Sequence, residues 1–374
     1  MNILVIPDSF KGSLSASEVA DIMEKMVKKV FPKSNCLNMP FSDGGEGAMK
    51  VLASHSEGKI QSCTTEDPLQ RVLKANYFLF SDNQSVWIEL SQTAGLTLLQ
   101  KEERNPLHTT TRGTGLMIRE ALDQGCSTIY LGIGGSATQD LGSGIIQALG
   151  GRFLDEFDTE LPLGGGALSR LKRIDLGDLH PQARICKWII ACDVENKLLG
   201  IHGSARTYAK QKGASNQDII LLEQGAKQFA AVIHQQFGKD ITSLKGGGAA
   251  GGVSAGLFGV LGATLANGFE LLADLTNLSK TIPTVDLILT GEGSFDEQSL
   301  YGKLPIQVAT LAGKKDIPTF IFAGKAKLKE LKQMQHCKII DCTPEGMSEQ
   351  QAMSEAASNL ERALLRELNS LTLK

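Results

Sequence analysis

The feature that most constrains this chain is a repeated unit. A short apolar run ends in a polar loop of glycine, acid and hydroxyl residues, and a helix-type pattern follows. At the N-terminus the apolar run is Asn2 to Ile6, and Ser15 with Glu18 forms an S-x-x-E capping box that starts a helix. Val19, Ile22, Met23 and Met26 share one face of that helix, which ends near Val30, before Pro32. A second short strand around Cys36–Pro40 leads into the loop 42–47. The C-terminal hundred residues use the same grammar: a strand at 285–289, a helix near 304–312, strands at 318–322 and 338–340, and a closing helix from Ser348 to about Leu368. Strands alternating with helices predict a parallel sheet with helices on both faces.

The middle of the chain reads differently. Residues from about 59 to 88 contain three β-rich stretches with little helix between them, which predicts local antiparallel pairing. A helix at 109–122, a strand at 128–133, a helix at 137–149 and a strand at 188–191 follow. The expected fold class is therefore α/β. Residues 1–58 and 280–374 form a doubly wound parallel-sheet domain built from both chain ends, 59–279 form an inserted second α/β domain, and the site lies in the cleft between them.

Composition narrows the function classes. The formal net charge of −3 carries no basic footprint for nucleic acid. Seven cysteines without a CxxC pair argue against a disulfide framework or a zinc site and for a reducing, cytoplasmic setting. The stretch from Gly246 to Phe269 has no charge and could span a bilayer by length. Eight of its residues from Gly246 to Asn267 are glycine, however, so a glycine loop feeding a buried helix is the better reading, with no membrane partner. Forty glycines in 374 residues exceed the usual share of roughly 7%, and several gather in loops.

Those loops carry the chemistry. Pro7–Ser13, with Asp8, Ser9 and Lys11, follows the first strand, at the edge where open α/β sheets bind ligands. Ser42–Gly47 places Asp43 and Glu46 around two glycines, suited to Mg²⁺ or a substrate hydroxyl, or to a tight turn whose Asp caps a helix. Gly132–Asp140 offers successive backbone N–H groups and two hydroxyls, a shape that suits an anion. It is not a Walker A loop, since no GK[ST] follows, and Ala137 occupies the third glycine position of GxGxxG. Asp193 emerges from an apolar strand, and the loops at 246–252 and 290–299 again combine glycines with polar groups. No histidine falls inside these loops, which disfavours a Ser-His-Asp or metal-histidine enzyme. Aspartate, glycine, serine and lysine without histidine suit phosphoryl transfer, which asks for positioning, Mg²⁺ and charge neutralisation.

The chain resembles the bacterial glycerate kinase family, a two-domain α/β type unrelated to P-loop kinases. The matching segments are DSFKGSLSA (8–16), SDGGEG (42–47), RNPLHTTTRGTG (104–115), GIGGSAT (132–138), ALGGRFLD (148–155), ACDV (191–194), QKGA (211–214), GGGAAGGVSAGL (246–257) and GEGSFDEQSLYGK (291–303). They stand in family order over nearly the whole chain. The resemblance implies ATP and Mg²⁺ as cofactors, D-glycerate as substrate and a phosphoglycerate as product, with position 2 favoured. Departures include Gln139 where Asn is usual, Leu141 where Gly is usual, and Lys197 where Pro is usual. A kinase for another small hydroxy acid, or a non-catalytic sugar-acid sensor, are the alternatives.

Loops and resemblance together give an expected site. Substrate contacts fall to Asp8, Ser9, Lys11, Glu46, Arg112 and Asp296. ATP or phosphate contacts fall to Gly134, Gly135, Ser136, Thr138, Gly247, Gly248, Gly251, Gly252 and Glu292. Asp193, Asp43 and Lys11 are the expected catalytic residues, with Asp43 and Asp193 also the expected Mg²⁺ ligands. Asp193 ranks first as proton acceptor because a carboxylate leaving an apolar strand is expected to be partly desolvated and hence more basic; Asp43 ranks second.

Overall fold

The computed structural model describes residues 1–41, 47–300, 302–328, 330–331 and 334–372. It divides into two compact units, Met1–Asp43 with Leu272–Lys374, and Gly44–Leu271. In chain order the strands are β1 (Asn2–Val5), β2 (Asn35–Asn38), β3 (Gly58–Glu66), β4 (Val72–Phe80), β5 (Ser85–Glu89), β6 (Thr128–Gly132), β7 (Arg152–Leu154), β8 (Arg173–Asp175), β9 (Lys187–Ala191), β10 (Thr264–Ala266), β11 (Leu287–Phe295), β12 (Thr319–Ala326) and β13 (Cys337–Asp341).

The unit made from the chain ends holds a five-stranded sheet in the order β13-β12-β11-β1-β2. Every pair in it is parallel, with Ile3 opposite both Leu287 and Cys36. Period-two alternation decides what each face buries. Ile3, Val5, Leu287, Leu289, Phe320 and Phe322 pack on the helices Ala16–Val30 and Ala356–Thr372. Ile321 and Ala323, one residue out of phase, pack on Ile306 and Ala309 of the helix Leu304–Gly313. The Ser15–Glu18 capping box forms as its spacing predicts, with both reciprocal hydrogen bonds in place. The closing helix is broken at Glu355 into Glu349–Ser354 and Ala356–Thr372, not continuous from Ser348.

The other unit holds a six-stranded sheet in the order β10-β9-β6-β5-β4-β3. Strands β3, β4 and β5 pair antiparallel, whereas β5, β6, β9 and β10 pair parallel. The helix Ala48–His55 packs on β3, β4 and β5, so it belongs with this sheet and not with the chain-end strands. Two helices start later than their sequence pattern predicts. The first begins at Arg112, because Thr109, Thr110 and Thr111 are fully buried and spend their hydroxyls on tertiary hydrogen bonds. The second begins at Ser143 instead of Ala137, after left-handed Leu141 (φ 54°) and Gly142 (φ 73°). The charge-free stretch forms the helix Ala249–Leu261 and then β10. Among the described residues no helix is long and apolar enough to cross a membrane.

Candidate active site

At the C-terminal edge of the five-stranded sheet, the chain leaving β1 is clipped to β11. Asp8 donates its N–H to Gly291 O at 2.9 Å, and Thr290 Oγ1 donates to Ile6 O at 2.7 Å. Gly293 permits this approach: a Cβ there would stand 3.0 Å from Lys11 N. Ser9 N–H donates to Asp8 Oδ1 at 2.6 Å, and left-handed Gly12 (φ 83°) turns the loop that exposes Lys11. Glu292 is buried. Lys303 Nζ meets its Oε2 at 2.9 Å, while its Oε1 has no hydrogen-bond partner among the described residues. Burial pushes the Glu292 carboxyl up from the usual carboxylate range, Ser299 and Lys303 pull it down, and the negative charge of Asp8 adds to the rise. Asp296, at the end of β11, lies 3.5 Å from Lys327 Nζ. Asp8, Ser9, Lys11, Glu292 and Asp296 are thus gathered at adjoining strand ends. Asp43 and Glu46 lie outside the described residues.

The second unit gathers a buried polar centre. Lys212 is fully buried, and its Nζ donates to Ser136 Oγ at 2.8 Å and to Thr138 O at 2.7 Å. Burial lowers its pKa to about 7, against the opposing pull of Asp140. Asp140, also buried, accepts from Thr111 N–H (2.8 Å), Thr111 Oγ1 (2.9 Å) and Gly142 N–H (3.1 Å). Burial raises its pKa while these donors oppose the rise. Gln139 Nε2 donates to Ser204 Oγ, which donates to Gly248 O. The Thr138 hydroxyl has no hydrogen-bond partner among the described residues.

The glycines at 246–252 approach this centre from the other side, and what they approach is protein. A Cβ on Gly251 would stand 2.1 Å from Thr138 O, one on Gly248 2.5 Å from Lys197 O, and one on Gly252 2.7 Å from Leu141. Gly247 N–H donates to Leu244 O. Gly134 and Gly135 sit at the surface side of the loop after β6, Gly135 left-handed at φ 69°. Arg112 opens its helix and is paired with Glu66.

Asp193 corrects one expectation. The chain leaves the sheet at Cys192, so Asp193 is exposed rather than desolvated. Its Oδ1 accepts from Asn267 Nδ2 at 2.9 Å and from Gly268 N–H at 2.8 Å, at the start of the helix Gly268–Leu275.

Three groups escaped sequence reasoning as site residues. Lys212 lies in the QKGA segment but looks like one of two solvated lysines beside Lys210. Asp140 looked like a position inside a helix. Glu89, buried at the end of β5, accepts from Met49 N–H at 2.7 Å and borders a cavity of about 570 Å³ with Lys50 and Lys74. An acid ending an apolar strand, the signal used for Asp193, was present there too.

Carboxylates and lysines without histidine, set at the ends of parallel strands, define a small-molecule phosphotransferase class of site. Comparison with known proteins is specific. Residues 3–371 match the model of the glycerate kinase family. A glycerate kinase of Halalkalibacterium halodurans is 40% identical over 366 residues, 97% of this chain and 96% of that one. A glycerate 2-kinase of Escherichia coli K12 is 40% identical over 324 residues, 87% and 85% of the two chains. A crystal structure from Salmonella typhimurium LT2, described as a "putative glycerate kinase 2", superposes with a TM-score of 0.87 at 35% identity, covering 100% of this chain and 98% of that one. The chain belongs to the glycerate kinase family.

Proposed function

We propose that this protein transfers the γ-phosphoryl group of ATP to the 2-hydroxyl of D-glycerate, giving 2-phosphoglycerate, in the cytoplasm. The observation that carries the reading is the gathering of Asp8, Lys11, Glu292 and Lys303 at the edges of β1 and β11, the terminal unit being read as doubly wound. Phosphoryl transfer relies on positioning and charge neutralisation, and this set supplies both signs of charge without a histidine. The name of the Escherichia coli relative is the ground for position 2.

Mg²⁺ fits the residues present. Among the described residues no three His, Cys, Asp or Glu side chains enclose a metal. Mg²⁺ in such sites keeps several waters and needs only one or two carboxylates beside the phosphates. Asp193, oriented by Asn267 and Gly268, suits that part or acceptance of the hydroxyl proton, and Asp43 shares the proposal. When bound, the ion would neutralise charge on the phosphates. Lys11 meets a phosphate or the glycerate carboxylate. The Gly134–Thr138 loop contributes phosphate contacts through its backbone N–H groups.

At the departure Gln139 the amide is buried, its Nε2 donating to Ser204 Oγ while its Oε1 has no hydrogen-bond partner among the described residues. The test is incubation with ATP, Mg²⁺ and D-glycerate, the product isomer identified by phosphorus NMR. The 2-phosphate is expected. No ATP turnover would overturn the reading, and the 3-phosphate would overturn its regiochemistry.

A further inference from the structure

We propose that a cavity of about 330 Å³ at the C-terminal edge of the five-stranded sheet is a purine-nucleotide site. The inference rests on the reading that ATP is the phosphoryl donor.

Its place in the topology is the first argument. The chain runs from β1 outward to β2, then returns on the opposite side of β1 with β11, β12 and β13. The strand order therefore reverses between β1 and β11. Open parallel sheets bind ligands outside the carboxyl ends of the strands at such a reversal. The cavity lies there, bordered by the residues that follow β1, by the ends of β11 and β12, and by the segment after β13.

Its lining has two chemistries. Lys11, Lys325 and Lys327 come from two different strand ends, and among the described residues Glu349 is the one acid that borders the cavity. That balance selects an anion. Met347 and Met353 border the same cavity and supply an apolar, polarisable wall, with the buried Phe10 of the core behind it. Met353 is 42% exposed, so its thioether is accessible from the cavity side. A small hydroxy acid satisfies lysines but has nothing to lay against two thioethers. A nucleotide has both a flat base and a phosphate tail. Glycine keeps room at the cavity's edge: a Cβ on Gly12 would meet Met353 Cε at 2.7 Å, whereas Gly324 lets β12 close on the Gly293 backbone, where a Cβ would stand 2.5 Å from Gly293 O. The volume lies at the lower end of small-molecule sites, roughly 300–1,000 Å³. It takes a nucleoside, with the phosphates reaching the lysines at the rim.

Calorimetric titration of the intact chain with ADP tests the site without requiring turnover. Lys325→Glu and Met353→Glu alter one chemistry each at exposed positions. Each should weaken ADP at least tenfold, while the KM for D-glycerate stays within about twofold and the circular dichroism melt is unchanged. Lys325→Gln, milder, should give a smaller loss in the same direction and guards against misfolding. Unchanged ADP affinity in both glutamate variants overturns the site, as does a parent protein that does not bind ADP. If Met353→Glu has no effect and tripolyphosphate binds as tightly as ADP, the cavity is an anion site only and the nucleotide assignment falls. The two readings fail separately: ADP bound in the cavity without glycerate turnover sinks the proposed reaction, and turnover with an unaltered KM for ATP in both variants sinks the cavity.

Discussion

In the stretch from Gly246 to Gly256 the glycines face protein, whereas Gly12 faces the flexible tip of one side chain beside open space. A Cβ on Gly256 would stand 1.7 Å from Leu141 O, and one on Gly251 2.1 Å from Thr138 O. Both obstacles are backbone in a buried loop. The Cβ of a substituted Gly12 would meet only Met353 Cε. Glycine in the first region lets one chain segment close on another, around Asp140 and Lys212. In the second it turns a loop that leaves room for a ligand. Sequence composition reads the two alike.

The largest effect that separates the regions is on stability. Gly256→Ala and Gly251→Ala should each cost about 3–5 kcal/mol, from overpacking against backbone and, at Gly251 (φ 71°), left-handed strain. Gly12→Ala carries the strain alone (φ 83°), about 1–2 kcal/mol. Urea unfolding of the three variants measures the difference. Equal losses at Gly12 and Gly251 would erase the contrast between a filled and an open glycine loop.

The filled region should also show a pH dependence of its own, carried by Lys212. Lys212 has its pKa lowered from 10.5 to about 7 by burial. Between those values the unfolded chain holds a proton that the native chain does not, so stability rises with pH. It is fully present above about 10.5 and is lost as pH falls through about 7. From pH 7 to 9 the gain should be about 2–3 kcal/mol, at about 1.4 kcal/mol per unit. Lys212→Met cannot titrate and should lose that slope, even though it leaves Ser136 Oγ and Thr138 O without their donor. Parallel stability curves for parent and variant over this range would mean that Lys212 is not held in the buried state described.

Much of the fold was legible because its signals are local. The Ser15–Glu18 box and the apolar face of its helix depend on residues a turn apart, and they form as read. The parallel sheet of the chain ends followed from alternation of strands and helices. The helix expected at Ala137 was misread because Asp140 takes its partners from Thr111, distant in sequence, and no local pattern records that. The exposure of Asp193 was misread for a similar reason: an apolar strand fixes what precedes it, not which way the chain turns at Cys192. Lys212 was missed because a lysine's burial depends on who surrounds it. The loops after β1 and within β11 were legible as a pair only through the edge rule of parallel sheets, which ties strand ends to ligands without naming the residues that touch them.

The smallest of the expected effects bears most directly on the open edge. Lys11 is exposed in a loop held by backbone hydrogen bonds, among them Phe10 N–H to Leu14 O at 2.8 Å and Ser13 N–H to Phe10 O at 2.8 Å. Removing its side chain takes nothing from either core, so Lys11→Ala should melt as the parent does. If the ammonium meets a phosphate or the substrate carboxylate, its loss should lower kcat/KM by about 10–100-fold, some 1.4–2.7 kcal/mol. The division of that loss identifies the contact. A raised KM for ATP with kcat kept means that Lys11 binds phosphate equally in ground and transition states. A raised KM for D-glycerate points to the carboxylate. A fall in kcat alone means that the contact strengthens as charge moves in the transition state. Lys11→Arg keeps the charge but spreads it over a planar fork, so it should recover part of the loss without restoring the parent's value. Should Lys11→Ala match the parent in both kinetic constants, Lys11 becomes a surface residue, and the open edge keeps its cavity but loses its first claim to the chemistry.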